Sequence, residues 1–140
     1  MLQATGQGFL VLFPELPGLT AQGADRGAAI SVAHRVLNEK IGSMLSCGET
    51  PMRPRKGRSL DGSDRIGVTV RPDYAVTLQM RWTRQEQGLS LAKVAHRMGV
   101  SRQRISALEI TGRNWTVGTL LRLSDALDAD LEIVLRRRRR

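Results

Sequence analysis

The chain has 140 residues, 41% of them apolar and only 4% aromatic, with a formal net charge of +9. That length suits one domain or two small ones built on aliphatic cores, and the apolar content excludes wholesale disorder. One cysteine, Cys47, excludes an intrachain disulfide and a cysteine-built metal site, and no apolar run approaches the roughly 18 residues of a membrane span, so a cytoplasmic protein without membrane contact is expected.

The charge is unevenly placed. Five of the nine excess positive charges are the arginines at 136–140, which leaves +4 for the other 135 residues and is read as a solvated end. Between residues 73 and 124, eight Lys or Arg face three Asp or Glu, and the acidic group Asp125, Asp128, Asp130 and Glu132 follows. A locally basic surface of this kind suits a polyanion such as DNA.

In chain order, GFLVLFPEL reads as a strand. Phe9, Val11 and Phe13 alternate with Leu10 and Leu12, so both faces are apolar. Residues 1–8 are short and rich in Gly and Gln, and no strand is expected there. Pro14 and Pro17 end the strand, and from Asp25, a suitable N-cap, the spacing turns helical through Ala29, Val32, Ala33, Val36, Leu37 and Ile41. That helix should stop near residues 46–48. Residues 51–66 have prolines, glycines and charges without apolar rhythm and read as a linker. IGVTV at 66–70 reads as a second strand, and Pro72-Asp73 as a helix start. The helix that follows, about 74–87, carries two apolar stripes, one with Val76 and Met80 and one with Tyr74, Leu78 and Trp82. Two stripes predict two packing partners.

LSLAKVAHRMGVSRQRISALEITGRNW has helix-turn-helix arithmetic. Ser90 caps a helix that buries Leu91, Val94, Ala95 and Met98; Gly99 supplies a left-handed turn, Val100 fills the angle, and Ser101 caps a helix that buries Ile105 and Leu108. Arg102, Gln103, Ser106 and Ala107 then face outward near the start of the second helix, where such motifs enter the major groove. Arg suits guanine, Gln adenine, and Ala a thymine methyl, so these four are the expected base readers. Arg104, Arg113, Asn114 and the helix start at Ser90 are the expected phosphate contacts. The bland alternative is a helical hairpin with a solvated arginine face, which a lone Gly between amphipathic helices would not exclude.

After Leu127, Leu131, Ile133 and Leu135 alternate with Glu132 and Val134 like a strand with an open edge. A second copy would satisfy that edge, so these three residues are expected to dimerise the chain and present two half-sites to operator DNA.

Residues 74–127 resemble the Cro/C1-type (XRE) helix-turn-helix family at Arg84, Gly88-Leu89-Ser90, Ala95, Gly99-Val100-Ser101, Ile105, Leu108-Glu109, Gly112-Arg113 and Leu120-Leu121. The family's usual Glu-x-Gly is stretched here to Glu109-Ile110-Thr111-Gly112, and its frequent Gln early in the first motif helix is Leu91. FPELPGLTAQG, a helix with Ala29 and Ala33, and the exit CGETPMRP resemble the HicB antitoxin domain.

Together the two resemblances imply an α+β protein: a partial RNase H-like strand-helix-strand domain over residues 1–70, shortened at its first strand, then an all-α helix-turn-helix DNA-binding and dimerisation domain over 71–140 with a short C-terminal strand. They also imply a function. The first domain would bind and occlude a HicA-like RNA-cleaving toxin, with Glu15 and Leu16 as contacts, and the second would repress its own operon as a dimer or higher even oligomer on double-stranded operator DNA in a bacterial or archaeal cytoplasm. The alternative is a stand-alone regulator whose first module serves oligomerisation or sensing. No cofactor or metal is expected. Glu15, Asp25 and Glu39 fall on different elements, and His34 and His96 stand alone, so no catalytic constellation is read.

Overall fold

The computed structural model describes residues 1–54, 65–111 and 115–135. The expected linker's residues 55–64, Gly112, Arg113 and Asn114, and the arginines at 136–140 lie outside it.

The chain opens on a β-hairpin, β1 (Leu2–Thr5) against β2 (Gly8–Leu12), with Thr5 opposite Gly8 across a two-residue turn. The strand judged missing from the sequence is therefore present. Gly and Gln at 6 and 7 form the turn, and Leu2 reaches the core opposite Val11. A second correction follows at FPELPG. The corner hands β2 to another strand, β3 (Thr20–Gly23), and not to the helix. Two turns make it: the Leu16 amide donates to the Phe13 carbonyl and that of Leu19 to the Leu16 carbonyl, both at 3.0 Å. β3 pairs antiparallel with β2, giving the order β1-β2-β3.

Helix α1 (Arg26–Ser46) packs on one face of this sheet. Asp25 caps it, accepting from the Ala28 amide at 2.8 Å. The row Leu2, Val11 and Ala21 lies in the core with Ala29 and Ala33, whose small side chains allow close approach. At the tightest point a Cβ on Gly23 would stand 2.2 Å from the Ala29 nitrogen, so glycine is required there.

The strand expected at residues 66–70 is not formed. These residues run irregularly along α1, with Ile66, Val68 and Val70 half buried, and side chains supply the partners a neighbouring strand would have given. Asn38 accepts from the Arg71 amide at 2.7 Å and donates to the Thr69 carbonyl at 3.2 Å, while His34 Nδ1 accepts from the Thr69 amide at 3.2 Å.

The remaining helices are α2 (Pro72–Glu86), α3 (Leu91–Met98), α4 (Arg102–Thr111) and α5 (Val117–Ala126). The two stripes of α2 meet two partners, as expected. Tyr74, Leu78 and Trp82 join Leu37, Ile41 and Leu45 of α1, while Met80 enters a core with Val94, Ala95, Met98, Ile105, Leu108, Leu123 and Ala126. The start of the expected linker is also docked onto α2. Trp82 Nε1 donates to the Pro51 carbonyl at 2.8 Å, and Arg53 reaches Glu86 at 2.8 Å and Gln79 at 2.9 Å. Past α5 the strand expected at residues 131–135 is absent: Leu131, Ile133 and Leu135 are exposed and irregular, and among the described residues no strand lies beside them.

Candidate nucleic-acid interface

Local signals set the geometry of α3 and α4. Ser90 caps α3 by accepting from the Lys93 amide at 3.1 Å, and Gly99 ends it in the left-handed region at φ 64°. Ser101 accepts from the Arg104 amide at 3.2 Å and starts α4. Ile105 is fully buried and Leu108 nearly so, which fixes the rotation of α4 about its axis. Arg102, Gln103 and Ala107 are exposed and Ser106 half buried. At 100° per residue these four fall within an arc of about 140° on the side away from the core.

The electrostatics of this end are those of an anion site. Neither α3 nor α4 carries an acidic residue in its first turn, so the partial positive charge of each N-terminus is uncompensated. Arg102, Arg104 and Lys93 are exposed nearby. Arg97 is committed elsewhere: its Nη1 donates to the Ala126 carbonyl at 2.8 Å and ties α3 to the end of α5. Arg113 and Asn114 fall outside the described residues.

The C-terminal half of α4 is fastened by polar side chains of α2 that composition alone does not reveal. Arg84 forks onto Glu109, Nε to Oε1 at 2.7 Å and Nη2 to Oε2 at 3.1 Å, and its Nη1 donates to the Leu89 carbonyl at 2.9 Å. Thr77, fully buried, accepts from Trp115 Nε1 at 3.2 Å. Arg81, 2% exposed, donates to the Glu49 carbonyl at 2.7 Å, to the Leu45 carbonyl at 3.1 Å and to the Glu109 carbonyl. Burial pushes the Arg81 guanidinium below its ordinary value and the Arg84 charge adds to this, while the Glu109 carboxylate opposes both. The available signal for Arg81 was its place between Met80 and Trp82, at the seam of the two apolar stripes.

The other expected contacts are dispersed. Glu15 and Leu16 border a cleft of about 250 Å³ with Phe13, Ile41, Met52 and Trp82, and Leu16 is half drawn into the core beside α1. Leu131, Ile133 and Leu135 lie exposed past α5, whose Val117 and Leu121 are also exposed one turn apart. Among the described residues no group of three or more His, Cys, Asp or Glu is placed to hold a metal ion, and no helix is long and apolar enough to cross a membrane.

With capped helices, a glycine turn and an outward arginine-rich face in place, the class of the second half is defined. Residues 80–134 match the helix-turn-helix family, of the Cro/C1 type, and form a helix-turn-helix domain of the kind found in DNA-binding regulators. The match covers under half of the chain and leaves the sheet, α1 and the start of α2 outside it. No curated protein matches the chain.

Proposed function

We propose that the protein is a sequence-specific transcriptional regulator that binds operator DNA as a dimer. The observation that carries this reading is the outward face of α4, with Arg102, Gln103, Ser106 and Ala107 beside two acid-free helix N-termini. The first four read bases, while Ser90, Arg104, Arg113 and Asn114 set register through phosphates. The exposed apolar residues Val117, Leu121, Leu131, Ile133 and Leu135 support pairing with a second copy, in which the segment at 131–135 gains a strand neighbour.

The sheet and α1 constitute, on this proposal, the toxin-binding half of a HicB-type antitoxin that neutralises a HicA-like RNA-cleaving toxin. The β1–β2 hairpin favours it, because it provides the strand ahead of FPELPG that the resemblance calls for. The competing reading is a stand-alone regulator with an oligomerising or sensing first half, and it accommodates the helix-turn-helix match at residues 80–134 equally well.

Two experiments separate these claims. In a mobility-shift assay, Arg102→Ala with Gln103→Ala should remove discrimination between selected and random duplex, a loss on the order of 10- to 100-fold. Full selectivity in the double variant would refute the placement of α4. Co-expression of the full chain with a basic RNA-cleaving protein from the adjacent reading frame should yield a co-purifying complex and restored growth. Growth arrest with no complex would leave the stand-alone regulator.

A further inference from the structure

The outward face of α4 can read DNA only if the helix is held at a fixed angle, and in this chain part of what holds it comes from the other half of the molecule. Arg81 projects from α2 into the seam between α1 and α4. It donates to the carbonyls of Leu45, in the last turn of α1, and Glu49, in the exit just after it, and to that of Glu109 near the end of α4. Its Nε lies 3.7 Å from the Glu109 carboxylate, itself forked by Arg84.

Carbonyls in the last turn of a helix have no i+4 partner within it, and one guanidinium here donates to such carbonyls at two helix ends at once, that of Leu45 also accepting from the Gly48 amide at 3.1 Å. No other side-chain type offers a planar fork with enough donors for that arrangement. The exit segment that carries Glu49 is in turn pinned by the Trp82 bond to Pro51 and by Arg53 on Glu86 and Gln79.

We propose that Arg81 is a positioning residue for DNA recognition: it registers the recognition helix α4 against the end of α1, so that operator selectivity depends on the docked state of the first half. The inference rests on the DNA-binding reading of α4. It goes beyond that reading by assigning a role in selectivity to a residue remote from the DNA-facing surface. An event that loosens the exit at residues 49–53 would lower selectivity without touching a DNA-contacting side chain, whereas binding that tightens it would raise selectivity.

The test uses the full chain with Arg81→Lys, which keeps the charge but cannot span three carbonyls, and Trp82→Phe, which removes the bond to Pro51 and keeps a smaller aromatic ring against α1 and Arg53. The probe is the duplex that the wild-type chain selects from a random pool, compared with unselected duplex, alongside amide hydrogen exchange of α4. Arg81→Lys should lower selected-duplex affinity by on the order of ten-fold, with unselected binding and its salt dependence unchanged, and should speed exchange at residues 108–110. Trp82→Phe should shift both readouts in the same direction by less.

Unchanged selectivity in a folded Arg81→Lys variant would overturn the proposal. So would equal loss on both duplexes, which marks general destabilisation. If Arg81→Lys fails to fold, unchanged selectivity and exchange in Trp82→Phe overturn it. If the wild-type chain selects no duplex, the DNA reading fails by itself, and α4 exchange that Arg81→Lys leaves unaltered then overturns the registering role separately.

Discussion

The most consequential single residue in the second half is Glu109, an acid enclosed by two arginines. It is 5% exposed, accepts two bonds from Arg84 and faces Arg81. Glu109→Ala would leave the buried Arg81 and the half-buried Arg84 guanidinium groups without a counter-charge, and a loss of about 3–5 kcal/mol is expected in urea denaturation. Glu109→Gln keeps an acceptor and should lose less. At the start of α2, Asp73 offers a pH-dependent contrast. Burial alone would raise its carboxyl, but hydrogen bonds from Arg71 and from the Tyr74 amide outweigh that and hold it below the usual aspartate range. A depressed folded pKa means that the contribution to stability is present above the unfolded value of about 3.9 and is lost as pH falls through the folded value. Asp73→Asn should therefore lower stability at neutral pH and converge on the wild type in acid, flattening the acid limb of the stability curve. Arg84 stands in the sequence only as a position of the family resemblance, and Arg81 carries no expectation there. Its place between Met80 and Trp82 puts Arg81 at the seam of two stripes, but only the packed structure shows that α1 and α4 close over that seam and make it interior.

Among the elements, α3 and α4 were legible because their determinants are local: Ser90, Gly99 and Ser101 act within four residues of where they stand, and Val94, Met98, Ile105 and Leu108 repeat at helical steps. The sheet was less so. β3 is four residues, TAQG, with one buried side chain, too short for alternation to register, and the hairpin turn at Gly6 and Gln7 looked like loose composition. IGVTV shows the opposite failure. Its β-branched rhythm is real, but the side chains of Asn38 and His34 take the place of a neighbouring strand. Two substitutions test the element boundaries. Gly23→Ala forces a Cβ onto α1 and should cost about 1–3 kcal/mol by thermal or urea denaturation. Asp128 follows α5 at φ 47°, where a side chain is strained, so Asp128→Gly should raise stability by about 1 kcal/mol.

For the whole molecule, the two resemblances suggested separate domains joined by a linker, yet α2 has one stripe in each of two cores and Arg81 spans the seam. Unfolding should accordingly be a single transition. Trp82 lies by the α1 core and Trp115 by the helix-turn-helix core, so the single-tryptophan variants Trp115→Phe and Trp82→Phe, each corrected for its own stability, should report fluorescence midpoints that coincide with the far-UV signal. Two separated midpoints would mean independent halves. The shared helix also constrains ancestry and engineering. A recombination event or a designed chimera that cuts in the polar stretch before residue 66 would carry α2 away with its outer stripe tailored to a vanished α1. A viable graft must therefore exchange α2's Tyr74, Leu78, Arg81 and Trp82 together with the surface they face. The heritable unit of this protein is thus longer than the segment that its family match outlines.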